Sequence, residues 1–456
     1  MTGPLVTASD PAYHEARRVF NGMIDRYPAA IAHCQTTDDV VAALACARAH
    51  DLPVAVRCGG HSTPGFSTCD DGLVIDVGGL KHVEVDVEAG VATLGAGLTW
   101  GELDAATQQH GLAVTGGRVS DTGVTGLTLG SGSGWLERKY GITAQSLLGA
   151  EVVLADGSVV RADADGDADL LWALRGGGGN FGVVTELTLK VHPVGPLVLG
   201  GMLAYPREHA GELARAYRDY IERAPDEVGG GFAFVSAPPE EFVPEEMRLK
   251  PIVGIVWVYV GPIDEGREAL AQWKEIAPPA LEMVGPMPYV ALQQLLDAAS
   301  PRGIREYFKV DWVPELTDEA IDTMVEQANA APSPMSQVIL EPLGGAMHRI
   351  GDADLALRIP DVKWSYFCLG LWPDAADDEA NVGWARGLAA AMKPFALSSP
   401  YPNFVSPDEG QARLREGYGE EKYARLAELK RRYDPDNVFR LNQNIAPAGY
   451  RPVAAS

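Results

Sequence analysis

Short apolar runs broken by glycine-rich loops dominate the first part of the chain. Val54, Ala55 and Val56 form an apolar, partly β-branched run that predicts a buried strand. Upstream, Val40, Val41, Leu44 and Ala45 recur at helical spacing. They predict an amphipathic helix over Asp38–His50, with Thr37 or Asp38 as its cap. Further strands are expected at Gly72–Val77 and within Val83–Leu94, and a helix over Trp100–His110. Glu151–Leu154 and Val159-Val160 flank Asp156-Gly157, which reads as a hairpin turn needing positive φ. Asp169–Leu174 reads as a short helical segment and Thr185–Val191 as a strand ended by Pro193.

From about Val198 the pattern changes. Glycine runs become rare, Gly229–Gly231 being the main one. Longer apolar segments appear at Gly254–Val260, Met335–Glu341 and Lys363–Trp372, with helical patterns at His209–Ala224, Asp264–Ile276 and Asp318–Ala330 between them. An antiparallel sheet backed by helices fits this alternation. Near the end, Glu420–Arg432 is a strongly charged helix with Tyr423, Leu426 and Leu429 on one face.

Candidate chemistry sits in the glycine loops. Arg57-Cys-Gly-Gly-His-Ser62 follows the Val54 strand, and Gly65 extends the loop. Successive backbone N–H groups in such a turn converge on an anion such as a phosphate. No G-x-G-x-x-G opens a helix here, so this is not the dinucleotide fingerprint. A second run, Gly123–Gly134 followed by Trp135, is too dense in glycine for a stable helix interior and suits a backbone pressed against a ligand. A third, Gly176–Gly182, leads into Val183-Val184.

Composition narrows the picture. The chain has 456 residues, 46% hydrophobic and 22% charged, as in an ordinary globular protein of two or three domains. A net charge of −25 argues against nucleic acid or an anionic membrane as partner. No apolar run approaches the ~18 residues of a membrane helix. No secretory leader is apparent, and five cysteines show neither metal spacing nor an even disulfide count. A cytoplasmic setting without a metal is the expectation. The oligomeric state is left open.

In order and together, "VAVRCGGHS" from Val54, "DGLVID" from Asp71, "GVTGLTLGSGSGWLERKYG" from Gly123, "LWALRGGGGNFGVVT" from Leu171 and "YDPDNVFRLNQNI" from Tyr433 resemble the FAD-linked oxidases with a PCMH-type flavin domain. The branch they resemble is the berberine-bridge-enzyme-like one, which includes 6-hydroxynicotine oxidase-like and natural-product tailoring oxidases. The resemblance implies an α+β fold. A two-part FAD-binding domain (1–195 and 402–456) would hold an inserted substrate domain (196–401) built on an antiparallel sheet backed by helices. It implies FAD bonded covalently to His61, a small-molecule substrate and O2 as acceptor. Backbone groups of Gly59, Gly60, Ser62 and Gly65 would face the pyrophosphate, with Gly126, Gly132, Gly134 and Trp135 on the other side. Val183, Val184, Asn442 and Asn444 would lie near the adenine or flavin ring. Cys58 belongs to the same cofactor loop, as do Val119, Ser120, Thr122 and Gly123 to the second. Arg57 and Arg175 are candidate anion partners or structural arginines. Many relatives have a second link through a cysteine, but Val119 occupies that position, so a single link is expected. Ser131 and Ser133 replace common glycines and would add hydroxyls toward phosphate. Gln145-Ser146 replace a usual Asp-Asn.

The departure concerns the base. Phe404 stands where many relatives carry the proton-accepting tyrosine, and Phe367 where a second acid or amide is often found. Tyr366, Tyr401 and Glu341 are the remaining candidates, with Tyr140 read as structural. Tyr366 alternates with Phe367 and so faces the other side of its strand. Three functions stay open. One is an oxidase of an amine, alcohol or natural-product intermediate. The second is an oxygenating enzyme acting on polyketide-like substrates, and the third a flavin-binding protein without catalysis.

Overall fold

The computed structural model describes residues 1–241, 243–397 and 401–451. The expected 196–401 and 402–456 ranges therefore include residues outside the described ones. The first sheet has four strands in the order Leu5–Thr7, Ala30–His33, Leu73–Asp76, Val54–Arg57. Its last three are parallel, so Leu73–Asp76 is flanked on both sides and buried throughout. This explains its uninterrupted apolar reading. The second sheet is antiparallel, in the order Val83–Asp86, Val91–Gly95, Val183–Lys190, Leu147–Val153, Val159–Asp163. The predicted hairpin at Asp156-Gly157 joins its last two strands, with Gly157 at φ +89°.

The third sheet is antiparallel and has seven strands. Their order is Leu281–Pro288, Leu197–Pro206, Pro251–Tyr259, Val228–Ser236, Gln337–Pro342, Trp364–Trp372, Arg305–Val313. Helices Ala210–Ile221, Ile263–Ile276, Asp318–Asn329 and Asp378–Met392 send their apolar residues into one core with one face of this sheet. The other face looks back toward the glycine loops. The C-terminal helix Glu420–Tyr433 returns to the first core, where Tyr423, Leu426 and Leu429 pack as read from the sequence.

Two expectations are corrected, and one glycine run finds its place. The helix Thr37–Ala49 is capped by Thr36, whose hydroxyl accepts from the Asp39 amide, and not by Thr37 or Asp38. The second glycine run does contain a helix, Val124–Leu129, because Thr125 and Thr128 anchor their hydroxyls on backbone carbonyls and only one glycine lies inside it. Gly229–Gly231 lies within the strand Val228–Ser236, where Gly230 at φ +102° passes close to the Val256 carbonyl. Side chains there would clash with neighbouring backbone.

Candidate active site

A cavity of about 390 Å³ separates the glycine loops from the open face of the seven-stranded sheet. One wall is backbone-rich. Cys58, Gly59, Gly60, His61, Ser62 and Val119 line it. So do Thr122, Gly123, Gly126, Gly132, Val184 and Asn442. The loops meet directly, since a Cβ on Gly59 would strike the Gly123 backbone. At Gly126 and Gly179 an added Cβ would meet no atom within 4 Å, so those positions open onto the cavity.

Other predicted residues lie behind this wall. Arg57 is buried and spends its guanidinium on Asp76, at 2.7 and 3.1 Å, and on the Ala16 carbonyl at 2.7 Å. Three of its five N–H donors are spent within the protein and it does not line the cavity, so the structure places Arg57 as a structural arginine. Arg175 donates to the Leu147 carbonyl at 2.9 Å. Gly65, at φ +79°, presents its carbonyl to Arg26 at 2.9 Å. Ser120 donates from both its amide and its hydroxyl to Asp297. Gly134 abuts the Gly116 backbone, and Val183 is buried in its strand opposite Val153. Trp135 lies under the Arg118 guanidinium, 4.7 Å from the ring centroid. Asn444 keeps a buried Oδ1 without a protein partner, as does Asn442. Ser131 and Ser133 do line the cavity, with their hydroxyls bonded to Asn403 and Arg118. Gln145 ties its own loop to the Met347 and Gly351 carbonyls at 3.0 and 3.1 Å.

His61 is held on several sides. Phe20 stacks on the ring at 3.8 Å. Nε2 lies 2.6 Å from Asp121 Oδ1, and Nδ1 faces the Thr122 hydroxyl at 3.4 Å. Burial pushes the imidazole's pKa down, against the pull of Asp121. Burial of Asp121 opposes its ionisation, but the bond from His61 and the Arg302 charge outweigh it and hold the carboxyl below its ordinary range. A neutral ring beside an ionised Asp121 places the proton on Nε2 and leaves the Nδ1 lone pair unprotonated.

The opposite wall is apolar over most of its area. Phe308, Ile339, Phe367, Leu369, Leu371 and Phe404 form it. Phe367 and Phe404 meet edge to face at 5.3 Å. At one end lies a charged group. Arg118 Nη1 is 3.0 Å from Glu341 Oε1, and Nη2 is 3.6 Å from Glu137 Oε1. Glu341 and Tyr401 both line the cavity, and among the described residues Glu341 Oε2 and the Tyr401 hydroxyl have no partner. Burial pushes the Glu137 and Glu341 carboxyls up, and Arg118 offsets part of that rise. Tyr401 is likewise pushed well above its usual range by burial and by the two carboxylates. Tyr366 points the other way, into the helix-covered core, with its hydroxyl 3.4 Å from Asp311. Tyr140 bonds the Pro193 carbonyl at 2.9 Å.

Sequence reasoning missed Arg118, Asp121, Glu137 and Glu306. Charged residues read as solvated in sequence; the fold puts Arg118 and Glu306 in the cavity lining, and Asp121 and Glu137 against His61 and Arg118 beside it. Among the described residues, no cluster of His, Cys, Asp or Glu is arranged to hold a metal, and no helix is long and apolar enough to cross a membrane.

A glycine-walled cradle facing an apolar sheet suits a protein that holds a large cofactor with an anionic part against backbone N–H groups and a planar part against apolar side chains. Comparison with known proteins makes this specific. Residues 28–163 match the FAD binding domain family, and residues 400–446 the berberine and berberine-like family. The chain is 30% identical to the FAD-linked oxidoreductase YgaK of Bacillus subtilis, over 98% of this chain and 97% of that one. It is 27% identical to (R)-6-hydroxynicotine oxidase of Paenarthrobacter nicotinovorans, over 98% and 97%. The crystal structure of 6-hydroxy-D-nicotine oxidase from Arthrobacter nicotinovorans superposes with a TM-score of 0.86 at 26% identity, covering 98% of each chain. The berberine-bridge-like enzyme 1 of Physcomitrella patens has the same fold, with a TM-score of 0.88 at 22% identity, covering 99% of this chain and 98% of that one. The chain belongs to the FAD-linked oxidoreductases of the PCMH type, berberine-bridge-enzyme-like branch. Its cofactor is FAD, and it is an oxidoreductase with the α+β fold of that family. The open positions at Gly126 and Gly179 and the unpartnered acceptors of Asn442 and Asn444 fit such a group.

Proposed function

We propose that this chain is an FAD-dependent oxidase whose flavin is bonded covalently to His61 alone, through Nδ1. It oxidises a small amine, alcohol or natural-product intermediate with O2 as acceptor. The observation that supports this reading is one cavity lined by His61 and by Glu341 and Tyr401, whose Oε2 and hydroxyl have no partner among the described residues. FAD, when bound, supplies a two-electron acceptor. The chain supplies the rest. Gly59, Gly60 and Ser62 offer backbone to the pyrophosphate, and Asp121 fixes the His61 ring. Glu341 takes the substrate proton at Oε2, with Arg118 fixing its other oxygen and the Tyr401 hydroxyl alongside. Phe367 and Phe404 exclude water and shape a flat, apolar seat. Burial pushes the Cys58 thiol up to about 12, so it stays protonated and unreactive, in keeping with one link. We assign residues 1–195 and 402–456 to the flavin domain and 196–401 to the substrate domain. The free cysteines suit a reducing, cytoplasmic setting.

Acid precipitation of the purified protein tests the linkage. Yellow colour stays in the pellet of the unmodified protein and passes to the supernatant in His61→Ala. Colour released from the unmodified protein would refute the covalent bond. Hydrogen peroxide formed in step with turnover separates an oxidase from an oxygenating enzyme.

A further inference from the structure

We propose that Glu306 is a binding site for the cationic head of an organic ammonium substrate, whose apolar body lies along the phenylalanine-lined sheet. This rests on the reading of the cavity as the substrate site. Glu306 lies in the edge strand Arg305–Val313, is 3% exposed, and lines the cavity together with Phe308, Leu371 and Ile304. It faces the His61 loop. Asn21 fixes it there, donating to the Glu306 carbonyl at 3.0 Å and to the Thr63 carbonyl at 2.8 Å, and accepting from the Glu306 amide.

Among the described residues no cation acts on this carboxyl, and the cations of the neighbourhood are already committed. Arg302 is bound to Asp121 and to the Gly59 carbonyl. Arg305, on the other face of the strand, is bound to Asp378, and Lys309 lies 3.2 Å from Glu409. His61, on the same cavity wall, is bonded to Asp121, and burial pushes its imidazole pKa down. Thr63 is the partner acting on the Glu306 carboxyl. Burial pushes the group up to about 8, so it holds its proton near neutrality and ionises when a cation arrives. Isolated buried carboxyls are costly, and an apolar cavity would be better served by a leucine unless a ligand supplies the charge.

The position also separates two tasks. Glu306 pairs across the strands with Leu371, and Glu341 with Ser365. Those partners lie toward opposite ends of one strand, about 20 Å apart at ~3.3 Å per residue, so a substrate held by its cation at Glu306 meets Glu341 only when its apolar body spans that length. Glu341 already has Arg118, whereas Glu306 is open to a positive group.

Calorimetric titration with benzyltrimethylammonium, a fixed cation on a flat apolar ring, and with uncharged 2-phenylethanol tests the assignment. Glu306→Gln should weaken the cation at least about tenfold and change the alcohol less than about twofold. The unmodified protein should release about one proton per cation bound at pH 7, measured in buffers of different ionisation enthalpy, and fewer at pH 9. Equal cation binding by the variant, or no proton release by the unmodified protein, overturns the proposal. If Glu306→Gln does not fold, the proton count decides alone. Acid precipitation of the same sample reports the flavin separately, so a failed flavin reading and a failed Glu306 assignment give different results.

Discussion

Two buried charge clusters in this molecule are built to opposite rules. At the C-terminal return, Lys430 and Asp434 are both fully buried and 2.7 Å apart. Lys430 also donates to the Asn180 and Phe439 carbonyls, and Asp434 accepts from the Val438 and Phe439 amides. Each charge is enclosed by hydrogen bonds. At the cavity end, Arg118 serves both Glu341 and Glu137, while Arg118 Nε, Glu341 Oε2 and the Tyr401 hydroxyl go without a partner. The first cluster locks the tail segment against the third glycine loop. The second leaves its free atoms in or beside the cavity, where a ligand would complete them. Incomplete pairing at a cavity is thus read as function, and complete pairing as structure.

The sharpest way to break that contrast is to neutralise one member of each cluster. Glu341→Gln is expected to slow flavin reduction about 10²–10⁴-fold and to leave the melting temperature nearly unchanged. The check is the anaerobic bleaching rate with whichever of a panel of amines and alcohols reduces the flavin fastest. Asp434→Ala leaves Lys430 charged and buried and strips the acceptor from two amides. It should cost about 3–5 kcal/mol of stability, read by urea unfolding. If Glu341→Gln destabilised as much as Asp434→Ala, the cavity cluster would be structural and another group would have to move the proton.

Much of the scaffold was legible in the sequence because periodicity follows burial. The helices at Ala210–Ile221, Ile263–Ile276 and Glu420–Tyr433 fall close to their expected places, since their apolar positions repeat every three or four residues. The strands Leu197–Pro206, Val228–Ser236, Leu281–Pro288 and Arg305–Val313 were not legible. Gly229–Gly231 hid one, Gly200 and Gly201 a second, Gly285, Pro286 and Pro288 a third, and the charges of Arg305, Glu306, Lys309 and Asp311 the fourth. In the site, glycines revealed the backbone wall because only a close approach explains so many. The resemblance carried His61. Arg118, Asp121, Glu137 and Glu306 stayed hidden because a charged residue in sequence carries no sign of which way it will face.

Asp104 sharpens the comparison from a third position. It is fully buried on the helix Trp100–Thr107 and lies outside the cavity lining. Gln293 Nε2 bonds one oxygen at 3.0 Å, and the other oxygen has no partner. Incomplete pairing here faces no cavity, so its cost should appear as pH-dependent stability. Burial pushes the carboxyl up to about 7, against 3.8 in the unfolded chain. The native state therefore holds a proton that the unfolded state has lost between those values. The contribution of this group is fully present below about pH 4 and is lost as pH rises through about 7. Asp104→Asn mimics the protonated form and keeps an acceptor for Gln293. It should melt with the unmodified protein near pH 4, with a lead that grows as pH rises to about 1–3 °C at pH 9. A difference that did not grow with pH would mean that Asp104 remains neutral or hydrated throughout, and that orphaned carboxyls away from the cavity carry no measurable penalty.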